Sequence, residues 1–331
     1  MKAAVYTRYG PPDVVVQIKE VEKPVPKDSE VLIEVRAASL NPLDGHLLRA
    51  PFPLRLMTGL RKPKNTRLGV DVAGQVEAVG RNVTQFKPGD EVFGACRAAL
   101  AEYACAPESR LVMKPSKVTF EQAASVPVAG LTALQGLRDK GKIQPGQKVL
   151  INGASGGVGT FAVQIAKSFG ADVTGVCSTR NVDMVRSIGA DHVINYTKED
   201  FTQSGQRYDI IFDNVSNHSF SERRRILNSN GICVLAGIGG AGSREGQWTR
   251  LGGSLKAMVA SWFVSQKFVT FIARITKEDL IILRELMATG NVTPVIDKCY
   301  RLSEVPEAIR YLEEGHARGK VVITAESNNK T

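Results

Sequence analysis

The sequence has no long apolar run of the kind that spans a membrane, and it is poor in the residues that cross-link secreted domains or bind metals. Its 331 residues include five cysteines, four histidines and two tryptophans. The uncharged stretch AMVASWFVSQ, at 257–266, has ten residues, whereas a membrane-spanning helix needs about 18 or more. The first residues, MKAAVYTRYG, contain no apolar segment typical of a secretory signal. We therefore expect no membrane span, no signal peptide and a cytoplasmic location. An organellar location and a peripheral location at a membrane stay open, because a mature or internally targeted organelle protein would have the same features.

The number and spacing of the cysteines argue against disulfide bonds and against a zinc site. They are odd in number and scattered, which is typical of reduced thiols in a cytosol-like compartment. Before residue 177 the chain has only Cys96 and Cys105, and before residue 192 its only histidine is His46. A C-x8-C pair without a nearby histidine does not match the spacing of a zinc site. The sequence therefore predicts no bound metal.

Acidic residues are outnumbered by basic ones, 33 to 43, so the net charge is +10. The basic residues are spread along the chain, with small clusters at RKPK (61–64) and RRR (223–225). Neither cluster is interleaved with aromatic residues, so the pattern argues against nucleic-acid binding. A solvated basic surface is the simpler interpretation.

The first 120 residues have the pattern of short strands separated by turns. KAAVY, VVVQI, EVLIEVRAAS and GQVEAVG are β-rich, and GPPD, KPVPKD and FKPGD are typical turn sequences. This spacing predicts antiparallel strands. Residues 121–139 are helix-forming, with Pro127 and Gly130 expected to interrupt the helix.

From residue 148 strands and helices alternate. A buried strand, KVLIN, precedes a helix predicted over 158–169, whose apolar residues recur at i, i+3 and i+4. DVTGVC, HVINY, YDIIFD and GICVLAG are the further strands, NVDMVRSIG is a helix, and a polar helix is predicted near 217–229. Alternation of this kind predicts an α/β fold with a parallel sheet. FGAD and IGAD each place a glycine where a helix ends. The chain closes on a predicted strand, GKVVIT, at 319–324.

Between the strand KVLIN and the helix after it, the chain reads INGASGGVGT. Gly153, Gly156 and Gly159 form a G-x-x-G-x-x-G series in the strand–turn–helix context of a dinucleotide site. Such glycines allow a tight turn and a close approach to a pyrophosphate, which the helix N-terminus attracts. We predict phosphate contacts at Ser155, Gly156, Gly157 and Val158.

The end of the second strand indicates which dinucleotide would bind. An NAD site has an acidic residue there to hold the ribose 2′-hydroxyl. Here the chain reads Cys177-Ser178-Thr179-Arg180, and Asp183 falls inside the next helix. Hydroxyls and a guanidinium suit a 2′-phosphate, so Ser178 and Arg180 favour NADPH. The alternative is that Arg180 is only a surface residue.

Seven motifs spread along the chain belong together. They are ASLNPLD (38–44), LGVDVAGQVEAVG (68–80), FKPGDEVFG (86–94), PVAGLTAL (127–134), GASGGVG (153–159), IGADHVINY (188–196) and GHARGKVVIT (315–324). Through these motifs the chain resembles the medium-chain dehydrogenase/reductase superfamily, and within it the zinc-independent quinone oxidoreductases. Among these it resembles the chloroplast-envelope quinone oxidoreductase homologues and the mitochondrial reticulon-interacting oxidoreductases.

The resemblance implies a GroES-like β-rich catalytic domain formed by residues 1–120 and 270–331. A Rossmann NADPH-binding domain would be inserted at 121–269, with the active site in the cleft. It also implies a homodimer. The positions of the superfamily's catalytic zinc ligands correspond to Asn41, Val70 and about Val128, none of which is a zinc ligand.

Without a Lewis acid, reduction of a conjugated C=C bond is easier to support than alcohol oxidation. The expected substrates are therefore enones, enals and quinones. The tyrosine that related enoyl-thioester reductases use as an acid is missing, because no tyrosine lies between Tyr9 and Tyr103. Solvent is then a candidate source of the proton.

The resemblance assigns further residues to the site. Asn41 and Asp44, in N-x-x-D, would lie at the nicotinamide and substrate. Asn41 would hydrogen-bond the nicotinamide ribose or the substrate carbonyl, and Asp44 would orient its neighbours. His46 is a candidate proton donor. An Asx turn at Asn41 and a surface histidine are the structural alternatives. The remaining cofactor contacts would be Thr132 at the nicotinamide, Tyr196 at the 2′-phosphate, and Asn214, Gly237 and Lys320. The alternatives are that Tyr196 only closes a strand at the edge of the core and that Gly237 only forms a turn.

A second class of function stays open beside the reductase. The chain would then be an NADPH-binding protein with a scaffold, RNA-binding or membrane-associated role and little turnover. The net charge and the basic–apolar stretch at 248–274 are the features that favour peripheral contact with an anionic membrane. Residues 243–275 would alternatively form a lid or a subunit contact.

Overall fold

The computed structural model of the chain describes residues 1–236 and 265–325. The chain forms two compact units. One contains Met1–Val128, Ile275–Ala288 and the chain from Ile296, and is named the catalytic unit after the domain that the family resemblance predicts. The other contains Ala129–Arg274 and Thr289–Val295, and is named the nucleotide unit after the predicted dinucleotide site. Gly237 and most of the 243–275 stretch lie outside the described residues.

The catalytic unit is built on β-sheet, as its β-branched sequence predicts. A seven-stranded sheet has the order β14-β15-β3-β4-β5-β7, with β6 paired to β3, and a separate hairpin joins β1 to β2. Its neighbours pair antiparallel except β14 and β15, which are parallel. The strands are β1 Lys2–Tyr6, β2 Val16–Glu20, β3 Glu30–Ser39, β4 Asp71–Val79, β5 Glu91–Ala95, β6 Tyr103–Pro107, β7 Leu111–Met113, β14 Ile296–Arg301 and β15 Lys320–Thr324.

The nucleotide unit has six parallel strands in the order β10-β9-β8-β11-β12-β13. In chain order within this unit that is 3-2-1-4-5-6, the order of the Rossmann fold, with its switch point between β8 and β11. The strands are β8 Lys148–Asn152, β9 Asp172–Cys177, β10 His192–Asn195, β11 Tyr208–Asp213, β12 Leu227–Ala236 and β13 Lys267–Phe271. The predicted α/β class and parallel sheet are confirmed.

None of the described helices is long and apolar enough to cross a membrane. They are α1 Pro12–Val15, α2 Pro42–Arg49, α3 Phe52–Thr58, α4 Phe120–Ala124, α5 Pro127–Gln135, α6 Gly157–Ser168, α7 Val182–Ser187, α8 Phe220–Arg225, α9 Lys277–Ala288 and α10 Val305–Glu313. After α6 and α7 the chain turns at Gly170 (φ +77°) and Gly189 (φ +109°). These are the two helix-ending glycines that FGAD and IGAD predict.

Three local predictions were wrong, and one strand was not predicted. In VVVQI, Val14 and Val15 belong to α1, because Pro12 has no N–H and favours the first turn of a helix. The interruption expected at Pro127 is present, because α4 ends at Ala124 and α5 begins at Pro127, but Gly130 lies inside α5 without interrupting it. The polar helix near 217–229 ends at Arg225, and β12 begins at Leu227. The strand β13 was not predicted at all.

Residues 289–295 belong to the nucleotide unit although the chain on both sides belongs to the other unit. The side chain of Gln164, on α6, explains the attachment. Its amide donates to the carbonyl oxygen of Thr293 (3.0 Å) and accepts from the Thr293 N–H (2.7 Å).

Candidate active site

The glycine loop after β8 has the geometry that requires glycine. Gly153 has φ +83°, a left-handed conformation that side chains rarely adopt. A Cβ at Gly159 would lie 2.0 Å from the carbonyl oxygen of Gly153. The first turn of α6 therefore packs directly on the end of β8, as the fingerprint predicts.

The start of α6 exposes peptide groups without a side-chain cap. Its N-cap residue is Gly156, which has no side chain to accept from the first-turn N–H groups. The N–H groups that begin at Gly157 and Val158 are thus available to an anion, and the helix dipole favours one there. Ser155, Gly156, Gly157 and Val158 are all half-buried, so the loop is accessible from solvent.

At the end of β9 the chain collects hydroxyls and a guanidinium. Ser178 follows the strand directly and is half-buried, and Arg180 is exposed in a short 3-10 turn, Thr179–Asn181. The Tyr196 N–H donates to the carbonyl oxygen of Cys177 (3.1 Å), which places Tyr196 beside this turn with its side chain 60% exposed. Three residues predicted at the 2′-phosphate thus lie at one end of neighbouring strands.

Asn181, which the sequence analysis missed, links the two halves of this site. Its side-chain amide donates to the hydroxyl oxygens of Ser155 (3.0 Å) and Ser178 (3.2 Å). The only local signal was an asparagine as the first residue of the predicted helix NVDMVRSIG, and that pattern predicts an ordinary helix cap.

The switch point is held together by a buried carboxylate. Asp213, at the end of β11, accepts from the Asn152 side chain (2.9 Å) and pairs with the buried guanidinium of Arg223 (2.6 Å). The Asn214 N–H donates to the Asn152 carbonyl oxygen (3.2 Å). Asn214 therefore lies beside the glycine loop, at the carboxyl edge of the sheet where such folds bind ligands. Thr132 lies in the middle of α5, half-buried.

In the catalytic unit the N-x-x-D motif is part of a buried polar cluster. Asp71 is fully buried and accepts, at one carboxylate oxygen, from Ser39 (2.8 Å) and Asn41 (2.9 Å). Its other oxygen accepts from the Val128 N–H (3.0 Å). The Lys320 ammonium lies 3.4 Å from the first of these oxygens.

Lys320 is the cation of this cluster. Its ammonium also donates to Asn41 Oδ1 (2.8 Å) and to the Leu40 carbonyl oxygen (3.0 Å), so three buried oxygens surround it. Burial lowers the pKa of Lys320, while the charge of Asp71 opposes that shift. Both ends of the Asn41 amide are therefore hydrogen-bonded inside the protein.

Asp44 is a second buried carboxylate. It caps α2, accepting from the Asn41 N–H (2.9 Å), and it also accepts from the Gly69 N–H (3.1 Å). Burial raises the pKa of Asp44 to about 6 despite these two bonds. This geometry fits the predicted role of orienting neighbours.

His46 lies on the same helix, two residues further on, and is half-buried. Burial lowers the pKa of His46, although the charge of Glu313 acts in the opposite direction. The neutral imidazole therefore predominates at neutral pH. Its role as a proton donor stays a prediction.

The structure also brings together the positions that correspond to zinc ligands. Asn41 and the Val128 N–H both bond to Asp71, which follows Val70 in the chain. Within residues 1–236 and 265–325 no group of three or more His, Cys, Asp or Glu side chains is arranged to hold a metal ion.

Comparison with known proteins connects these sites to one family. An alcohol dehydrogenase GroES-like domain model matches residues 27–116, and a zinc-binding dehydrogenase model matches residues 188–323. The chain is 35% identical to the chloroplastic quinone-oxidoreductase QR1 of Triphysaria versicolor, with 98% of each protein covered. It is 33% identical to the chloroplastic NADPH-dependent alkenal/one oxidoreductase of Arabidopsis thaliana, covering 98% of this chain and 79% of that protein.

A solved structure gives the same relationship. The quinone oxidoreductase from Coxiella burnetii is 30% identical and superposes with a TM-score of 0.84, covering 98% of this chain and 99% of that one. The chain therefore belongs to the medium-chain dehydrogenase/reductase superfamily, in its quinone oxidoreductase family.

Proposed function

We propose that the protein is a zinc-independent, NADPH-dependent reductase. It transfers hydride to the β-carbon of α,β-unsaturated ketones and aldehydes, or to quinones. The observation that carries the proposal is the paired phosphate site: the uncapped start of α6 and the Ser178–Arg180 turn that has no acidic residue.

The residues present fit NADPH in three respects. The glycine loop leaves room for a pyrophosphate, since a Cβ at Gly156 would have a single neighbour within 4 Å, the carbonyl oxygen of Gly153 at 3.5 Å. The start of α6 supplies N–H donors. A 2′-phosphate at Ser178 and Arg180 would meet a hydroxyl and a guanidinium, whereas an acidic residue would repel it.

When bound, the reduced nicotinamide supplies a hydride. Addition at a β-carbon moves negative charge onto the carbonyl oxygen, which then needs a hydrogen-bond donor, and the α-carbon needs a proton. The ammonium of Lys320 already donates to three oxygens, and Asp44 accepts two N–H groups. These groups therefore hold the N-x-x-D loop in shape, and the two candidate sources of the proton are solvent and His46.

The names of two relatives support the substrate class. One is called a quinone oxidoreductase and the other an NADPH-dependent alkenal/one oxidoreductase. Quinones, enals and enones share a C=C bond conjugated to a carbonyl, so one hydride-accepting geometry serves all of them.

The test is oxidation of NADPH, followed by loss of its nicotinamide absorbance, against a panel of enones, enals, quinones and matched saturated ketones. We expect turnover with conjugated acceptors and none with saturated ketones. Tight NADPH binding without turnover on any acceptor would favour the scaffold role instead.

Arg180→Glu tests the cofactor preference. We expect the Kd for NADPH to rise about 10-fold or more, because a charge-assisted hydrogen bond is replaced by repulsion. Binding of NADH, which lacks the 2′-phosphate, should change little. Arg186→Glu is the matched control, since Arg186 is exposed on α7 and pairs with Asp183. An equal effect of Arg180→Glu on both dinucleotides would contradict the assignment.

A second candidate role, peripheral binding to an anionic membrane, is favoured by one observation. Leu56, Met57 and Leu60 are 64%, 79% and 56% exposed, and the basic cluster RKPK (61–64) follows them directly. Apolar side chains beside cations suit an anionic lipid surface. We expect co-sedimentation with anionic vesicles that salt weakens, and loss of it when the three apolar residues are changed to serine.

A further inference from the structure

The side chain of Asn181 lies between two serines that belong to different parts of the nucleotide unit. Ser155 is in the glycine loop before α6, and Ser178 directly follows β9. One amide nitrogen of Asn181 donates to both hydroxyl oxygens, at 3.0 and 3.2 Å. Asn181 itself is 5% exposed, so its position is fixed by packing as well as by these bonds.

This asparagine does not do what its place in the chain predicts. It occupies the N-cap of α7, where asparagine usually accepts from the first-turn N–H groups and contributes about 1 kcal/mol. Here its side chain makes no capping bond. Its Oδ1 is buried and has no hydrogen-bond partner among the described residues. The side chain is therefore oriented toward the serines, and it leaves α7 without a side-chain cap.

The direction of the two bonds determines what the serines present. A serine hydroxyl has one O–H to donate and two lone pairs that accept. Because Asn181 donates to each oxygen, neither serine uses its own proton on Asn181. Each O–H is left to donate to another group, and both sites are predicted to face phosphates.

We propose that Asn181 is a positioning residue that fixes Ser155 and Ser178 as hydrogen-bond donors, to the pyrophosphate and the 2′-phosphate of the same cofactor. This role rests on the proposed NADPH function. Both ends of the site then favour anions, because one side chain leaves the O–H groups of both serines to donate to the ligand. A carboxylate at position 181 would take both protons and leave lone pairs facing the phosphates.

The experiment measures Kd for NADPH and NADH by fluorescence titration of the full chain. Asn181→Asp, nearly identical in shape, should raise the Kd for NADPH about 100-fold, since two hydrogen bonds to charged groups are lost. The Kd for NADH should rise about 10-fold, because only the Ser155 contact serves that cofactor. Asn230→Asp adds the same charge at an exposed position on β12 and should leave both Kd values unchanged.

A second variant separates positioning from folding. Asn181→Leu removes both bonds without adding charge and should raise the Kd for NADPH about 10-fold in the wild-type background. In a Ser155→Ala/Ser178→Ala background the same change should have almost no effect, because no hydroxyl remains to be oriented. A purely structural residue would have equal effects in both backgrounds.

The outcomes are distinguishable. If the wild-type chain binds neither dinucleotide, the proposed function fails, and this role fails with it. If the wild type binds NADPH and Asn181→Asp binds it equally well, the positioning role alone is overturned. Thermal unfolding of each variant identifies any loss of affinity that comes from a failure to fold.

Discussion

The Lys320 ammonium is buried among oxygens of Leu40, Asn41 and Asp71. Such a cation is stable only with its partners, since an unpaired charge in the interior is strongly destabilising. Lys320→Met should therefore lower the free energy of unfolding by about 3–5 kcal/mol, because Asp71 is left as an uncompensated buried carboxylate.

Urea unfolding measures this effect. The double variant Lys320→Met/Asp71→Asn, which removes both charges, should recover part of the loss. A single variant that unfolds at the wild-type urea concentration would show that the pair contributes nothing.

Asp44 gives a pH-dependent prediction at the same scale. Its pKa in the folded protein is about 6, above its ordinary value of 3.8. The stability it contributes is thus fully present below pH 3.8 and is lost as the pH rises through 6. The difference in unfolding free energy between wild type and Asp44→Asn should fall by about 2 kcal/mol between pH 4 and pH 7.

Asp191 is the matched control for this titration. Hydrogen bonds from Lys167 and the Val173 N–H lower the pKa of Asp191, although partial burial opposes them. Its contribution is lost only as the pH falls below its ordinary value, so the Asp191→Asn difference should stay flat between pH 4 and pH 7. A flat profile for Asp44→Asn as well would contradict the assignment.

At the scale of one element, two glycines of the loop are predicted to have different roles, Gly159 in folding and Gly156 in cofactor binding. A Cβ at Gly159 would lie 2.0 Å from a backbone oxygen, whereas one at Gly156 would lie 3.5 Å from its nearest neighbour, in ordinary contact. Gly159→Ala should therefore destabilise the fold, by about 1–3 kcal/mol, because α6 must move away from β8.

Gly156→Ala should instead melt within a few degrees of wild type and lose NADPH affinity, since its methyl group fills the approach of the pyrophosphate. Thermal unfolding and cofactor titration of the two variants measure both effects. Equal melting points with equal affinities would show that neither glycine is needed for close packing.

The nucleotide unit also shows where element prediction succeeds. The strands β8, β9 and β11 and the helix α6 lie within one residue of their predicted bounds. Each has a clear periodicity and a glycine or turn at its end, and both signals are local. β13 was missed because KFVTF lies in a mixed basic–apolar stretch without such boundaries.

At the scale of the whole molecule, the net charge of +10 should assist an anionic cofactor. Raising the salt concentration from about 0.05 M to about 0.5 M should weaken NADPH binding several-fold, because screening shortens the range of the field. NADH carries less charge and should respond less. Equal salt dependence for both would mean that the 2′-phosphate does not meet positive charge.

Local signals in the sequence were enough for the α/β class, the strand–glycine–helix loop and the absence of an acidic residue after β9. Each depends on neighbouring residues: periodicity, a positive φ at glycine, or the identity of one strand-end residue. The family motifs extended this to Asn41 and Lys320 as site residues.

Only the tertiary structure decided what those residues touch. Asn41 and Lys320 are 279 positions apart, and they meet because β15 pairs antiparallel with β3, with Val322 opposite Ser39. Asn181 likewise joins two loops because β8 and β9 are neighbours in the sheet. Such contacts depend on strand order and register, which long-range packing determines and no local pattern encodes.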